Sequence, residues 1–494
     1  MRYRRADREG WGVDERTPVG TGFDELAEQD ADAVALLCPD GPVTRAELAA
    51  ASNRAARELA AHGAGQDDLV TIGLTNGAAF YAAVLGAWKL GAVPQPVSAK
   101  LPAAELAALV ELADPPVVVG LEAADRPWLP AGWTPDPALP DGPLPPAVPP
   151  SWKAPTSGGS TGRPKIIVSG DPGLMGPVTG RAASLRIEGG PDAVLAVTAP
   201  LYHNAPFMFS LIGLLRGAPL LVLDRFDGAH VLDAVCRHRA QWVYAVPTLM
   251  GRILRLPPEV RAAADLSAVR TLLHVGAPCP PAVKRAWIDW LGPERVHELY
   301  AGTESVAACT IDGVEWLAHP GSVGRATRGE IRIGDADGRP LPVGEVGEVW
   351  MRHPPGAAPY RYVGAETRAV DGWETLGDLG RVDADGYLYL ADRRGDVVLV
   401  GGANVYPAEV EAALGEHPDV LSCCVVGLPD DDLGERVHAL VELAAPVPDE
   451  ALRAHVAARL AGYKVPATWE RVEAPLRDDT GKVRRSALRA ARLP

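Results

Sequence analysis

The stretch VTRAELAAASNRAARELAAHG (43–63) repeats its apolar residues at the three- and four-residue spacing of a helix face and stops on Gly63, a residue suited to a C-cap. A short apolar run of strand length, DLVTIGL (68–74), follows, and GAAFYAAVLGAWKLGA (77–92) predicts a second helix. Between 190 and 350 the alternation returns, with AVLAVTAPL, PLLVLDRF, WVYAVP, VRTLLHVGAP and RVHELYAGT as strand-like segments. Strands that alternate with helices predict an α/β fold of layered sheets.

Two stretches break this pattern. From Leu139 to Pro155, LPDGPLPPAVPPSWKAP is saturated with proline, which lacks a backbone N–H and fixes φ, so an irregular surface connection is expected. From about 323 to 392 the texture is one of short alternating strands, and Asp-Gly pairs at 337–338 and 385–386 predict hairpins in a β-rich subdomain. The remaining residues, 393–494, form a mixed segment of domain size. The expected division is a large domain over 1–392, made of layered α/β subdomains plus the β-rich part, and a small α+β domain over 393–494.

Composition agrees with two domains, since 494 residues exceed what one core usually serves. The apolar fraction of 47% excludes a disordered chain, and no apolar run is long enough to span a bilayer. The N-terminus MRYRRADREGW lacks the apolar stretch of a secretory signal, so a cytoplasmic protein is expected. With 48 basic against 63 acidic side chains the formal charge is −15, which disfavours a nucleic-acid partner and requires any polyanionic ligand to be held by local donors. The six cysteines make no C-x-x-C pair and are expected as buried free thiols, with Cys423 and Cys424 in a buried strand, VLSCCVVGL.

Candidate chemistry concentrates in TSGGSTGRPK (156–165). Glycines and hydroxyl residues ahead of Lys165 let backbone N–H groups, hydroxyls and a cation approach phosphate oxygens. The spacing is not that of a Walker A loop, and a flexible Gly/Ser linker is the plain alternative.

This loop resembles the phosphate-binding loop of the adenylate-forming enzymes, which include acyl-CoA and aryl-CoA ligases, peptide-synthetase adenylation domains and firefly luciferase. Further stretches are similar to that family's other motifs, in the family's order: LYHN (201–204), HVGAP (274–278), YAGTE (300–304), TLGDLGRVDADGYLYLADRRGD (375–396), GGANVYPAEVE (401–411) and TGKVRR (480–485). The resemblance covers essentially the whole chain. It implies an ATP-dependent enzyme that converts a carboxylic acid to an acyl-adenylate, releases pyrophosphate and passes the acyl group to the thiol of coenzyme A.

Pressing a carboxylate onto the α-phosphorus of ATP brings two anions together, so cations and donors are needed where charge develops. The resemblance implies that Ser157, Gly159, Ser160, Thr161 and Gly162 hold the β- and γ-phosphates, with Lys165 beside them. Gly276, Ala277 and Pro278 would lie against adenine, on which Tyr300 stacks, with Ala301 and Gly302 following. Thr303 would meet the α-phosphate and Glu304 would position Mg²⁺. Asp378 would accept from both ribose hydroxyls, Arg393 would reach ribose and phosphates, and Lys482 would bridge the attacking carboxylate and the α-phosphate. Taken singly, Asp378 reads as a turn residue, Lys482 as a solvated charge and Tyr300 as core packing; their joint order carries the assignment.

For the second step the family's small domain rotates about a hinge, here at Gly395, and Gly401, Gly402 and Asn404 would line a tunnel for coenzyme A. The acyl pocket implied by the motifs comprises Tyr202, His203, Phe207, Val246, Met250, Val275, Gly276, Gly302 and Ala307, with His203 gating it or admitting the thiol; a packed loop histidine is the alternative for His203. Four positions depart from the family's pattern: Gly395 where Asp or Lys is usual, Leu376 where Thr or Ser is usual, Ala301 for Gly and Gly158 for Ser.

NAPFMFS (204–210) offers no carboxylate for a substrate ammonium, which disfavours an α-amino acid. Small apolar walls favour a hydrophobic acyl group, and the motif combination is similar to that of fatty-acid and bile-acid or steroid-type CoA ligases, so a bulky polycyclic or aryl acid is expected. The competing expectations are an enzyme that loads a carrier-protein thiol, one that uses the adenylate for another bond with an amine or another oxyacid taking part, and a nucleotide-binding sensor without catalysis. Expected partners are a small carboxylic acid and coenzyme A or a carrier protein, with a homodimer compatible.

Overall fold

The helix expected over 43–63 runs from Arg45 to Ala61, and its start is explained by a capping box. The Thr44 hydroxyl accepts from the Glu47 N–H, and the Glu47 carboxylate accepts from the Thr44 N–H. The computed structural model describes residues 13–157, 164–477 and 481–493. Strand Leu69–Ile72 and helix Ala78–Lys89 follow as expected, and the strand joins Val93–Pro96, Val118–Val119 and Trp128–Leu129 in a parallel four-stranded sheet.

The larger sheet has nine strands. Its centre is parallel, in the order Val296–Ala301, Thr271–His274, Trp242–Ala245, Leu195–Val197, Leu220–Val222 and Val34–Cys38. Antiparallel strands close it: Gly41–Thr44 at one edge, Ala308–Asp312 and then Arg325–Arg328 at the other. The four inner strands, Thr271–His274, Trp242–Ala245, Leu195–Val197 and Leu220–Val222, are buried along their whole length. This is why they read as continuous apolar runs rather than as alternating ones. Helix Asn204–Leu215 is apolar nearly all round and is buried to match. All the parallel strands end on one side, and at or beyond three of those ends lie the stretches LYHN, HVGAP and YAGTE.

The β-rich part is an antiparallel sheet of Glu330–Gly334, Gly347–Arg352, Trp373–Val382, Arg368–Val370 and Leu388–Arg393. Both Asp-Gly pairs lie in hairpin connections, but the connections are longer than two residues. An earlier aspartate organises each of them: Asp335 Oδ1 accepts from the N–H groups of Asp337 and Arg339, and Asp383 Oδ1 from those of Asp385 and Tyr387.

The C-terminal part has a sheet of its own, with strands Val398–Val400, Ala403–Val405, Val420–Asp430, Gly434–Leu443 and Thr468–Arg471, and a separate apolar cluster that includes Val405, Leu414, Val425, Ala439 and Leu452. Cys423 and Cys424 are in its longest strand. All six cysteines are free, but only Cys309, Cys423 and Cys424 are buried. Cys38, Cys236 and Cys279 are half-buried, which corrects the expectation for those three.

Ser151–Pro155 also differs from expectation. The segment is irregular but buried, not on the surface. Its N–H groups at Trp152 and Ala154 donate to Asp171 and Pro94, and its carbonyls at Lys153 and Pro155 accept from Ser169 and Ile167. Proline removes a donor but leaves an acceptor, so a proline-flanked segment can be threaded between two others. No helix among the described residues is long and apolar enough to cross a membrane.

Candidate active site

Three of the motif stretches lie where parallel strands end. Strand Trp242–Ala245 runs into Val246 and helix Pro247–Leu254, and strand Thr271–His274 into Val275 and the exposed turn Gly276, Ala277, Pro278. Strand Val296–Ala301 runs into a turn over 302–305, in which the Ser305 N–H donates to the Gly302 carbonyl at 3.1 Å, so that Thr303 and Glu304 sit on the turn. Beyond strand Leu195–Val197, Tyr202 and His203 stack obliquely with ring centroids 4.1 Å apart, and His203 is the N-cap residue of helix Asn204–Leu215. Crevices at the carboxyl ends of parallel strands are the usual ligand sites of open α/β sheets. A side chain at Gly302 would meet Leu376 Cδ1 at 2.3 Å, so the departure at Leu376 is accommodated by a glycine opposite it.

The loop read as phosphate-binding is the tip of a hairpin. Thr156–Ser157 pairs with Lys165–Val168, with Ser157 opposite Lys165, and the second strand also pairs with Arg361–Val363. Gly158, Gly159, Ser160, Thr161 and Gly162 lie outside the described residues. Lys165 Nζ is 3.2 Å from Glu304 Oε1 and 4.0 Å from the Tyr362 ring centroid. The Tyr362 hydroxyl donates to the same Glu304 oxygen at 2.6 Å, and burial together with the Glu304 charge pushes the phenol's pKa up. Tyr362 was not foreseen, because nothing near it in the chain marks it.

A second charged group joins Asp378, Tyr300 and Arg393. Asp378 Oδ2 accepts from the Tyr300 hydroxyl at 2.6 Å, and its Oδ1 accepts from Arg393 Nε at 3.1 Å. Burial and Asp378 raise the Tyr300 pKa, so the phenol remains a donor. The expected role of Tyr300 as an adenine-stacking ring therefore gains a polar end. Ala301 precedes the turn at the end of the same strand.

Past Arg393, the Arg394 N–H donates to the Gly377 carbonyl and the Asp396 N–H to the Arg393 carbonyl, while nothing lies within 4 Å of where a Gly395 side chain would start. Gly401 and Gly402, at φ +55° and +84°, form the two-residue loop joining Val398–Val400 to Ala403–Val405. Hairpin geometry alone thus requires the two glycines. Asn404 is exposed on the second of those strands.

Lys482 is exposed and follows a buried Gly481, where a side chain would stand 2.9 Å from Thr248 Oγ1. Arg484 reaches Glu105 at 2.9 Å. The segment with Lys482 is therefore docked on helix Pro247–Leu254, two residues past Val246.

The apolar residues expected around the acyl group are interior. Phe207 packs its ring against Phe80 and Trp152, Met250 is wholly buried with its carbonyl accepting from Trp287, and Ala307 belongs to the core of the β-rich part. All three are buried, as helix Asn204–Leu215 and its neighbours are apolar nearly all round and pack inward. Val246 and Val275 are buried where their strands end, and Tyr202 and His203 remain half-buried.

Two carboxylates, each held by a cation and a phenol, can host a nucleotide's metal and sugar, and the small lobe's Gly481, next to Lys482, packs against Thr248. The family model of the AMP-binding enzymes matches residues 23–360, and that of the AMP-binding enzyme C-terminal domain matches 409–482. The chain belongs to this adenylate-forming family. It is an AMP-forming acid–thiol ligase that works through an acyl-adenylate and uses ATP, Mg²⁺ and coenzyme A.

Among its relatives, a sulfoacetate–CoA ligase of Cupriavidus necator is 32% identical, over 94% of this chain and 95% of the relative. The structure is similar to o-succinylbenzoate CoA synthetase from Bacillus subtilis in complex with its acyl-adenylate, with a TM-score of 0.82 and 26% identity over 97% of this chain and 99% of that one. It is also similar to the amide bond synthetase McbA from Marinactinospora thermotolerans, with a TM-score of 0.78 and 27% identity over 96% and 100%.

Proposed function

We propose that Glu304, Asp378, Lys165 and Lys482 divide the adenylation step between them, and that the acid is bulky and hydrophobic with coenzyme A as the acceptor. The observation that carries this reading is the pairing of Lys165 and Tyr362 on Glu304 and of Tyr300 and Arg393 on Asp378, both at the end of strand Val296–Ala301, with Gly481 packed on the helix that follows another strand of the same sheet.

Glu304 would hold Mg²⁺. Lys165 and Tyr362 both use its Oε1, which leaves Oε2 without a hydrogen bond among the described residues. A lone carboxylate suits Mg²⁺, which takes one or two carboxylates along with phosphate oxygens. When bound, the ion supplies charge neutralisation for the departing pyrophosphate. Lys165 releases Glu304 and turns to the phosphates as they arrive. Asp378 accepts from the ribose hydroxyls with the lone pairs that Tyr300 and Arg393 leave free.

Lys482 brings an exposed ammonium to where carboxylate and α-phosphate meet, which lowers the repulsion between them. Thr303, on the same turn as Glu304, donates to the α-phosphate. The unobstructed Gly395 lets the small lobe turn after the adenylate has formed and carry Lys482 away.

Support for a hydrophobic acid is the absence of any carboxylate over 201–215. The cytoplasm, where ATP and coenzyme A are available, is the matching location. Acid-dependent exchange of labelled pyrophosphate into ATP, run across polycyclic, aryl and linear acids, tests the first step. Thioester formation with coenzyme A against a phosphopantetheinylated carrier tests the second. Exchange with every acid class absent would end the reading, and transfer only to the carrier would replace the acceptor.

A further inference from the structure

Lys153 is a second lysine in the same region that the adenylation chemistry above does not use. It leaves the buried Ser151–Pro155 segment and is only 2% accessible. Its ammonium donates to Asn204 Oδ1 at 2.5 Å and lies 5.3 Å from the Trp152 ring centroid. Among the described residues it makes no ion pair. The carboxylates whose charge it feels, Glu304 and Asp171, are paired with Lys165 and Arg181 instead. Arg328, on the edge strand opposite Ala308, belongs to the same set: Arg181 and Asp171 act on its charge, and its Nε is buried with no partner among the described residues. The charges of Arg181 and Asp171 thus bear on both Lys153 and Arg328.

An ammonium buried against a neutral amide is costly, and an apolar side chain would fill the same space at less cost. Such a group is retained where a ligand completes it. The location favours the acid over the nucleotide. Asn204 is the first residue of the helix that follows Tyr202 and His203, the half-buried pair expected at the acyl site.

We propose that Lys153, steadied by Asn204, is a specificity-determining residue that binds a second acceptor oxygen on the acid, a carboxylate or keto group apart from the carboxylate being activated. This rests on the acid-activating reading and narrows its substrate to an apolar body with one polar handle.

The test uses pairs of acids that share a carbon skeleton and differ by one carboxylate or keto group, assayed by pyrophosphate exchange with the full-length enzyme and with Lys153→Met and Lys153→Arg. The parent is expected to prefer the acceptor-bearing member by roughly tenfold to a hundredfold in kcat/KM, the range for one hydrogen bond to a charged group. Lys153→Met is expected to level the preference through KM for the acid, with KM for ATP unchanged, and Lys153→Arg to keep part of it. A parent enzyme indifferent to the second group overturns the inference without reference to any variant. A Lys153→Met effect confined to KM for ATP overturns it in favour of a phosphate contact. Absence of exchange with all acids is the separate failure of the acid-activating reading.

Discussion

Among the groups proposed to hold the nucleotide each charge is matched within the protein: Lys165 by Glu304 and Arg393 by Asp378, with the Tyr362 and Tyr300 hydroxyls filling further acceptor positions. Lys153, proposed to meet the acid, has an amide for a partner, and the half-buried Arg328 leaves its Nε unmatched among the described residues. Matched groups can wait without a ligand and exchange partners when one arrives, so they cost little in the free enzyme. An unmatched buried cation such as Lys153 holds a standing penalty that a ligand, or loss of the proton, relieves. The first arrangement suits a co-substrate common to every member of the family, the second a substrate particular to one enzyme.

Substitutions break this comparison in a definite order. Lys482→Ala should act most strongly, lowering acid-dependent pyrophosphate exchange by roughly 10²–10³-fold, as loss of a group that meets developing charge does. ATP affinity measured by calorimetry should be almost unchanged, and undiminished turnover would remove Lys482 from the chemistry. Glu304→Gln should follow at about 10²-fold, with part of the rate returning as Mg²⁺ is raised; a loss insensitive to Mg²⁺ would mean that Glu304 serves only to hold Lys165 and Tyr362. Tyr300→Phe removes one donor from Asp378 and should raise KM for ATP roughly threefold to tenfold. An unaltered KM would leave Tyr300 as packing alone.

Much of this architecture is written locally. Thr44 and Glu47 mark the start of their helix, the inner strands advertise burial by continuous apolar runs, and HVGAP and YAGTE lie where strands end. What local pattern could not convey is pairing between distant segments. Tyr362 meets Glu304 only because Arg361–Val363 pairs with Lys165–Val168, and neither stretch carries a sign of the other. The Asp-Gly pairs pointed to hairpins correctly, yet the turn chemistry belonged to Asp335 and Asp383, which precede them. Proline density from 139 to 155 was read as surface, and this concealed Lys153. The deciding fact was that Trp152 and Ala154 retain donors that distant backbones accept.

The smallest expected effect concerns stability and separates Lys153 from Lys165 directly. Burial, with the nearby Arg181 charge adding to it, brings the Lys153 pKa down to about 7. Between that value and the ordinary lysine value near 10.4, the folded chain carries fewer protons than the unfolded chain, so the parent gains stability as pH rises through this window. Below about pH 7 both states are protonated there and the full cost of the buried ammonium is felt. Lys153→Met carries no such cost at any pH. It should therefore melt a few degrees above the parent at pH 6, and the gap should close toward pH 10. Lys165→Met instead leaves the buried Glu304 without its cation and should melt lower than the parent at both pH values. If Lys153→Met were destabilised equally at both, the ammonium would already be compensated in the free enzyme, and the contrast between the two sets of groups would fall with it.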